Sequence, residues 1–190
     1  LYTLPLLIAF IAVFLPKLTP YRALRMNRAA LVLSSVYIVW SLGAKFYIDQ
    51  TVKTALHDRQ IQAEYYLSTP APFSTLLWRI LVMSGDEYYE GYVSIFDSPS
   101  EVSLDNYDST ESLLTEIEDE WDVQRLQWFT KGFYAVKQEE KNIILSDLRM
   151  GVECYYVFNF IVGEESEAGI VKRVVEKVSV RPDLSMLGSV

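Results

Sequence analysis

The chain is 190 residues long and 51% apolar, with 25 acidic against 17 basic side chains and a formal net charge of −8. That balance excludes a protein built to track nucleic acid. A single cysteine, Cys154, excludes an internal disulfide, and a single histidine, His57, leaves no paired His or Cys spacing for zinc.

Two apolar runs open the chain. Residues 1–15, LYTLPLLIAFIAVFL, carry no charge, and residues 29–48, AALVLSSVYIVWSLGAKFYI, carry only Lys45. As a helix the second run is about 30 Å long, one hydrocarbon thickness. Lys45 lies one turn from its end, where the ammonium can reach headgroups while its stem lies along lipid. Both runs are predicted transmembrane helices. Residues 16–28 between them, PKLTPYRALRMNR, gather Lys17, Arg22, Arg25 and Arg28 without one acid. A short basic loop between apolar spans is a cytoplasmic loop by the positive-inside rule. A cleaved signal peptide fits less well, because its charge should precede the apolar stretch. A chain that opens on Leu reads as a piece of a longer protein.

The charge split sets the expected topology. Residues 1–48 hold five basic side chains and no acid, which leaves twelve basic and twenty-five acidic, net −13, in the other 142. With the loop cytoplasmic, the acidic part is extracytoplasmic. Ile48, Val52, Ala55, Leu56 and Arg59 recur at helical spacing, so residues 49–64 are predicted to continue the span as a helical stalk.

From residue 65 to 180 the pattern is that of an α+β domain with a mainly antiparallel sheet. FSTLLWRILVMS (73–84) and EYYEGYVSIFD (87–97) form a predicted hairpin. A Ser84-Gly85 turn sets Met83 opposite Asp86 and brings Arg79 directly across from Glu90, giving a buried guanidinium its carboxylate. Residues 97–109 are a polar loop with room for one short strand. Asp108 with Glu111 resembles a capping box that opens a short helix carrying Leu113, Leu114 and Ile117. A second helix carries Val123, Leu126 and Phe129 and stops near Gly132. Strands return at 133–137, 143–148, 154–162 and 170–180, with the helices expected on one face or end of the sheet. Residues 181–190 are a predicted flexible tail.

The chemistry-bearing residues are few. The acidic runs 116–120, 139–140 and 164–167 lie at helix ends and turns, where solvated charge is the ordinary explanation. His57 falls on the outer side of the stalk, and Cys154 opens an apolar strand as a small hydrophobe. Four residues remain as candidate ligand-binding groups: Arg79, Glu90, Asp147 and Arg149. Asp147 and Arg149, two apart, would share a strand face. Structural ion pairing is the ordinary explanation for these groups, and an anionic-ligand site the alternative. The tyrosines at 65, 66, 88, 89, 92, 155 and 156 read as cross-strand packing. No catalytic residue and no metal ligand emerges.

In combination, TPAPFSTLLWR (69–79), YYEGYVSIFD (88–97), RLQWFTKGFY (125–134) and DLRMG (147–151) resemble the C-terminal half of a bacterial family. That family is the YdjM-like, LexA-associated group of inner-membrane metal-dependent hydrolases. The resemblance implies a membrane-embedded N-terminal portion whose His and Asp motifs hold a divalent metal such as zinc. No such motif stands in this chain, so no metal ligand carries over to any position. Two functions follow as expectations. One is the outer, membrane-anchored portion of a hydrolase, partnered by the lipid bilayer and by upstream transmembrane segments. The other is a non-catalytic extracytoplasmic binding or scaffold domain of the inner membrane.

Overall fold

The computed structural model of the protein describes residues 20–178, apart from 73, 154 and 168. The first apolar run, Lys17, Cys154 and the tail therefore lie outside the described residues.

The described chain opens on one helix, α1 (Pro20–Asp58), 39 residues and about 58 Å long. This corrects the expected loop. Arg22, Arg25 and Arg28 belong to the first three turns of the helix rather than to a connection. Pro20 stands at its first position, where a missing N–H costs nothing, and Arg, Leu and Met after it are good helix formers. One segment among the described residues, Leu24–Asp58, is long and apolar enough to cross a membrane. Toward its C-terminal end α1 buries Ile48, Val52, Ala55 and Leu56, the i, i+4, i+7, i+8 stripe expected of the stalk.

Eight strands follow: β1 (Tyr65–Pro70), β2 (Leu77–Ser84), β3 (Glu87–Ser94), β4 (Asp105–Asp108), β5 (Tyr134–Glu139), β6 (Asn142–Asp147), β7 (Phe158–Ser166) and β8 (Gly169–Val178). A 3-10 turn (Glu111–Leu114) and the helix α2 (Trp121–Thr130) separate β4 from β5. The single expected sheet is two four-stranded antiparallel sheets, β1-β2-β3-β4 and β5-β6-β7-β8.

The hairpin register differs from the expected one. The two turn residues are Gly85 and Asp86, and Gly85 holds φ +57° as the first of them. Only glycine takes that conformation freely in a primed turn. Ser84 therefore faces Glu87, and the Ile95 N–H reaches the Leu76 carbonyl at 2.8 Å in the same register. Arg79 lies opposite Tyr92, and Glu90 lies opposite Leu81. The capping box is also replaced. Asp108 closes β4 opposite Glu87, and the 3-10 turn starts after Thr110 without a side-chain cap.

The chain divides into two compact units. The first comprises α1 with Ser68–Arg79 and Tyr92–Ser103. Its contacts run along the helix: Trp40 Nε1 donates to Thr75 Oγ1 at 3.3 Å, and Lys45 Nζ to Ser68 Oγ at 2.7 Å. Near the helix end the Arg59 guanidinium donates to the Val102 carbonyl.

The second unit comprises Ile61–Leu67, Ile80–Gly91 and the chain from Leu104 onward. One face of the second sheet carries Tyr134, Val136, Ile143, Leu145 and Val162 against Leu114, Ile117 and Val123. The helical elements thus sit on one face, as the pattern predicts. On the other face, Ala135 joins Leu148 and Tyr156 in a cluster with Leu81, Met83 and Tyr88. Ser109 ties the two sheets: its N–H donates to the Asp86 carbonyl at 2.7 Å, and its Oγ accepts the Val136 N–H at 3.1 Å.

Candidate functional site

The second unit holds a cavity of about 400 Å³ whose polar walls include Tyr88, Lys137, Glu153, Tyr156 and Asn159. Three pieces of local structure build it. Period-two alternation points Ala135, Lys137 and Glu139 of β5 to one face, and cross-strand pairing sets Ser146 opposite Ala135 and Asn159 opposite Ser146. Tyr88 comes from β3, where it stacks on its cross-strand partner Tyr107 at 5.4 Å. Glu153 and Tyr156 come from the β6–β7 connection. That connection is held by the Val157 N–H on the Met150 carbonyl at 3.0 Å and the Tyr155 N–H on the Val152 carbonyl at 2.8 Å.

These polar groups satisfy one another. The Glu153 carboxylate accepts Lys137 Nζ at 2.6 Å and the Tyr88 hydroxyl on its other oxygen. The Lys137 ammonium lies 5.6 Å from the Tyr88 ring centre, within cation–π range. The Tyr156 hydroxyl donates to Glu90 at 2.8 Å, and both side chains are buried. Asn159 Nδ2 donates to the Tyr156 carbonyl at 2.8 Å while its oxygen accepts the Ser146 hydroxyl at 2.7 Å.

Burial pushes the Tyr156 phenol far above its ordinary pKa, and the Glu90 carboxylate it donates to adds to the shift. Burial and the Glu153 carboxylate do the same to Tyr88. For Glu153, burial raises the pKa, but the hydrogen bonds from Lys137 and Tyr88 outweigh it and the carboxyl ends below its usual range. Both phenol protons are thus committed to carboxylates, Tyr88 to Glu153 and Tyr156 to Glu90, and the phenol oxygens can only accept from a ligand. Neither phenol can lose a proton near neutral pH, so this arrangement suits recognition better than general acid–base work.

Asp147 and Arg149 come together: Arg149 Nε and Nη2 hold the two Asp147 oxygens at 2.9 and 2.6 Å, and the Arg149 N–H adds 3.0 Å. They do so across the end of β6, with Arg149 in the turn beyond it rather than on a shared strand face. Asp147 is 1% exposed, and the guanidinium also lies 5.0 Å from the Phe129 ring centre. Glu90 sits behind the cavity as the acceptor of Tyr156. Arg79 is buried in the first unit. His57 is 90% exposed beside Asp58.

Sequence reasoning missed Lys137, Glu153 and Asn159 and read Tyr88 and Tyr156 as packing alone. A period-two reading of Tyr88 and Glu90 places them on one face. Nothing local marks Glu153, which meets Tyr88 across 65 positions of sequence. No protein-family model, no curated protein and no solved structure matches this chain.

Proposed function

We propose that the chain is a membrane-anchored binding domain. In this reading α1 crosses the bacterial inner membrane with its arginines cytoplasmic, and the α+β portion recognises a small polar ligand on the extracytoplasmic side. The observation that carries it is the surface of α1. Leu31, Val32, Leu33, Val36, Ile38, Val39, Leu42 and Phe46 are all exposed, Val39 at 70%, and they spread over more than half of the helix circumference, leaving only the face of Ala30, Ser34, Tyr37, Ser41 and Ala44 buried or half-buried. An apolar helix surface this wide and uncovered is suited to lipid and not to water. The cavity supports the recognition half: its volume lies in the range of small-molecule sites, and its lining combines polar side chains such as Lys137, Ser146 and Asn159 with Ala135 and Ile144.

A reporter active only outside the cytoplasm should work when fused after Ser98, and one active only inside should work when fused at Thr19. The reversed pattern would overturn the orientation, and extraction of the protein by alkaline carbonate would overturn the anchor.

The hydrolase reading rests on the family resemblance, with a divalent metal held by upstream segments. Among the described residues no group of three or more His, Cys, Asp or Glu is placed to hold a metal ion. The purified chain should accordingly contain zinc well below one equivalent by elemental analysis. Stoichiometric zinc that disappears on His57→Ala would return the metal to this portion.

A further inference from the structure

The folded part of the first unit does not begin where the apolar span ends. Thr75 meets Trp40, Ser68 meets Lys45, and Ile95 lines an open apolar groove of about 470 Å³ with Val39, Trp40, Gly43, Ala44 and Tyr47. From Val39 to Tyr47 is about 12 Å of helix. A span over residues 29–48 thus shares its outer turns with two loops, residues 74–76 and 95–98.

Sliding the helix outward until those loops clear the lipid ends the hydrocarbon near Trp40. About 20 residues are needed to cross, so the inner boundary would retreat to about Tyr21. Arg22, Arg25 and Arg28 would then all enter the core, each at a cost that rises from the edge toward the centre. Leaving the arginines in the headgroups and immersing the loops brings in one charged side chain, Asp97, in place of three, and turns apolar side chains at the loop tips toward lipid. Phe96 is 79% exposed, Leu76 44% and Leu77 39%.

Much of the loop backbone is already paired. Ser94 donates to Asp97 Oδ2 at 2.7 Å, Leu76 to Ser74 Oγ at 3.1 Å, and Ala71 to the Leu77 carbonyl at 2.9 Å. We propose that loops 74–76 and 95–98 are immersed in the bilayer beside α1, with a lipid acyl chain in the groove between Ile95 and the Val39–Tyr47 face. This rests on the membrane-anchoring reading. It makes the first unit's loops part of the membrane surface rather than a head held clear of it.

The test uses the full chain with Cys154→Ser, in vesicles of phosphatidylcholine and phosphatidylglycerol doped with lipids brominated near the carbonyl end of the acyl chain. An environment-sensitive fluorophore is attached at Phe96→Cys, at Val36→Cys on the helix, or at Ser103→Cys, next to the Val102 carbonyl that Arg59 reaches. Lipid quenching at 96 should be comparable with that at 36 and several-fold above that at 103, which iodide should quench from the water. Quenching at 36 with none at 96 overturns the immersion and leaves the anchor standing. No lipid quenching at 36 overturns the anchor itself, and the immersion with it. Phe96 is the exposed tip of a turn, so a substitution there leaves the core untouched.

Discussion

Replacing Arg149 by methionine should cost about 3–5 kcal/mol of stability, the usual loss when a buried pair is broken from one side. Asp147 is the reason. Its carboxylate is buried, with two guanidinium nitrogens and one backbone N–H as donors, and methionine leaves only the N–H. The converse change, Asp147→Ala, should cost less, because Arg149 is 24% exposed and can turn toward water. Asp147→Asn placed on top of Arg149→Met should recover much of the loss: it removes the stranded charge and keeps an oxygen for the Arg149 N–H. Denaturant unfolding of the wild type, Arg149→Met, Asp147→Asn and their double variant closes the cycle, and simple additivity of the two single losses would show that the pair is not coupled. The same geometry bears on the anionic-ligand alternative, since the planar edge that would grip a ligand is the edge Asp147 occupies.

What could be read in advance depended on whether the signal was local. The β2–β3 hairpin, the strands of the second sheet and the helical elements on one of its faces follow from alternation, stripes and turn residues that lie side by side in the chain, although the strand expected at 154–162 runs Phe158–Ser166 and its expected start, with Tyr156, belongs to the connection before it. The stalk was legible for the same reason, as Ile48, Val52, Ala55 and Leu56 mark one face without any knowledge of what covers it, but the helix ends at Asp58 and not at residue 64 as expected. Arg22, Arg25 and Arg28 were misread because charge was taken as a break in structure. Arginine is a good helix former, and a charged turn simply extends a helix past the apolar part. The register failed by the choice of turn: moving the pair from Ser84-Gly85 to Gly85-Asp86 moves Arg79 from opposite Glu90 to opposite Tyr92. The cavity was illegible because its members are contributed by β3, β5, β7 and the β6–β7 connection. No spacing announces a residue such as Glu153, whose role exists only after two sheets have packed.

That connection also carries the second large expected effect. Gly151 holds φ +123°, outside the conformations L side chains adopt freely, and a Cβ there would lie 2.5 Å from the Tyr155 carbonyl oxygen and 2.7 Å from the Tyr156 Cα. Both obstacles are backbone, so no rotamer can swing away, and the connection itself must move. Gly151→Ala should therefore cost about 3 kcal/mol, the upper end of the range for a strained backbone site. Gly85→Ala provides the comparison. It also sits at positive φ, +57°, but nothing lies within 4 Å of its added methyl, so only the left-handed conformation is penalised, by about 1–2 kcal/mol. The two variants separate strain from collision within one protein. If Gly151→Ala unfolds at the same denaturant concentration as Gly85→Ala, the connection yields freely and cannot be what holds Glu153 and Tyr156 in place. If the loss is the larger one predicted, a mobile residue 151 is incompatible with the cavity as built. Any ligand that the wild-type chain binds there should then bind the Gly151→Ala protein more weakly even under conditions where it remains folded, while Gly85→Ala leaves that affinity unchanged.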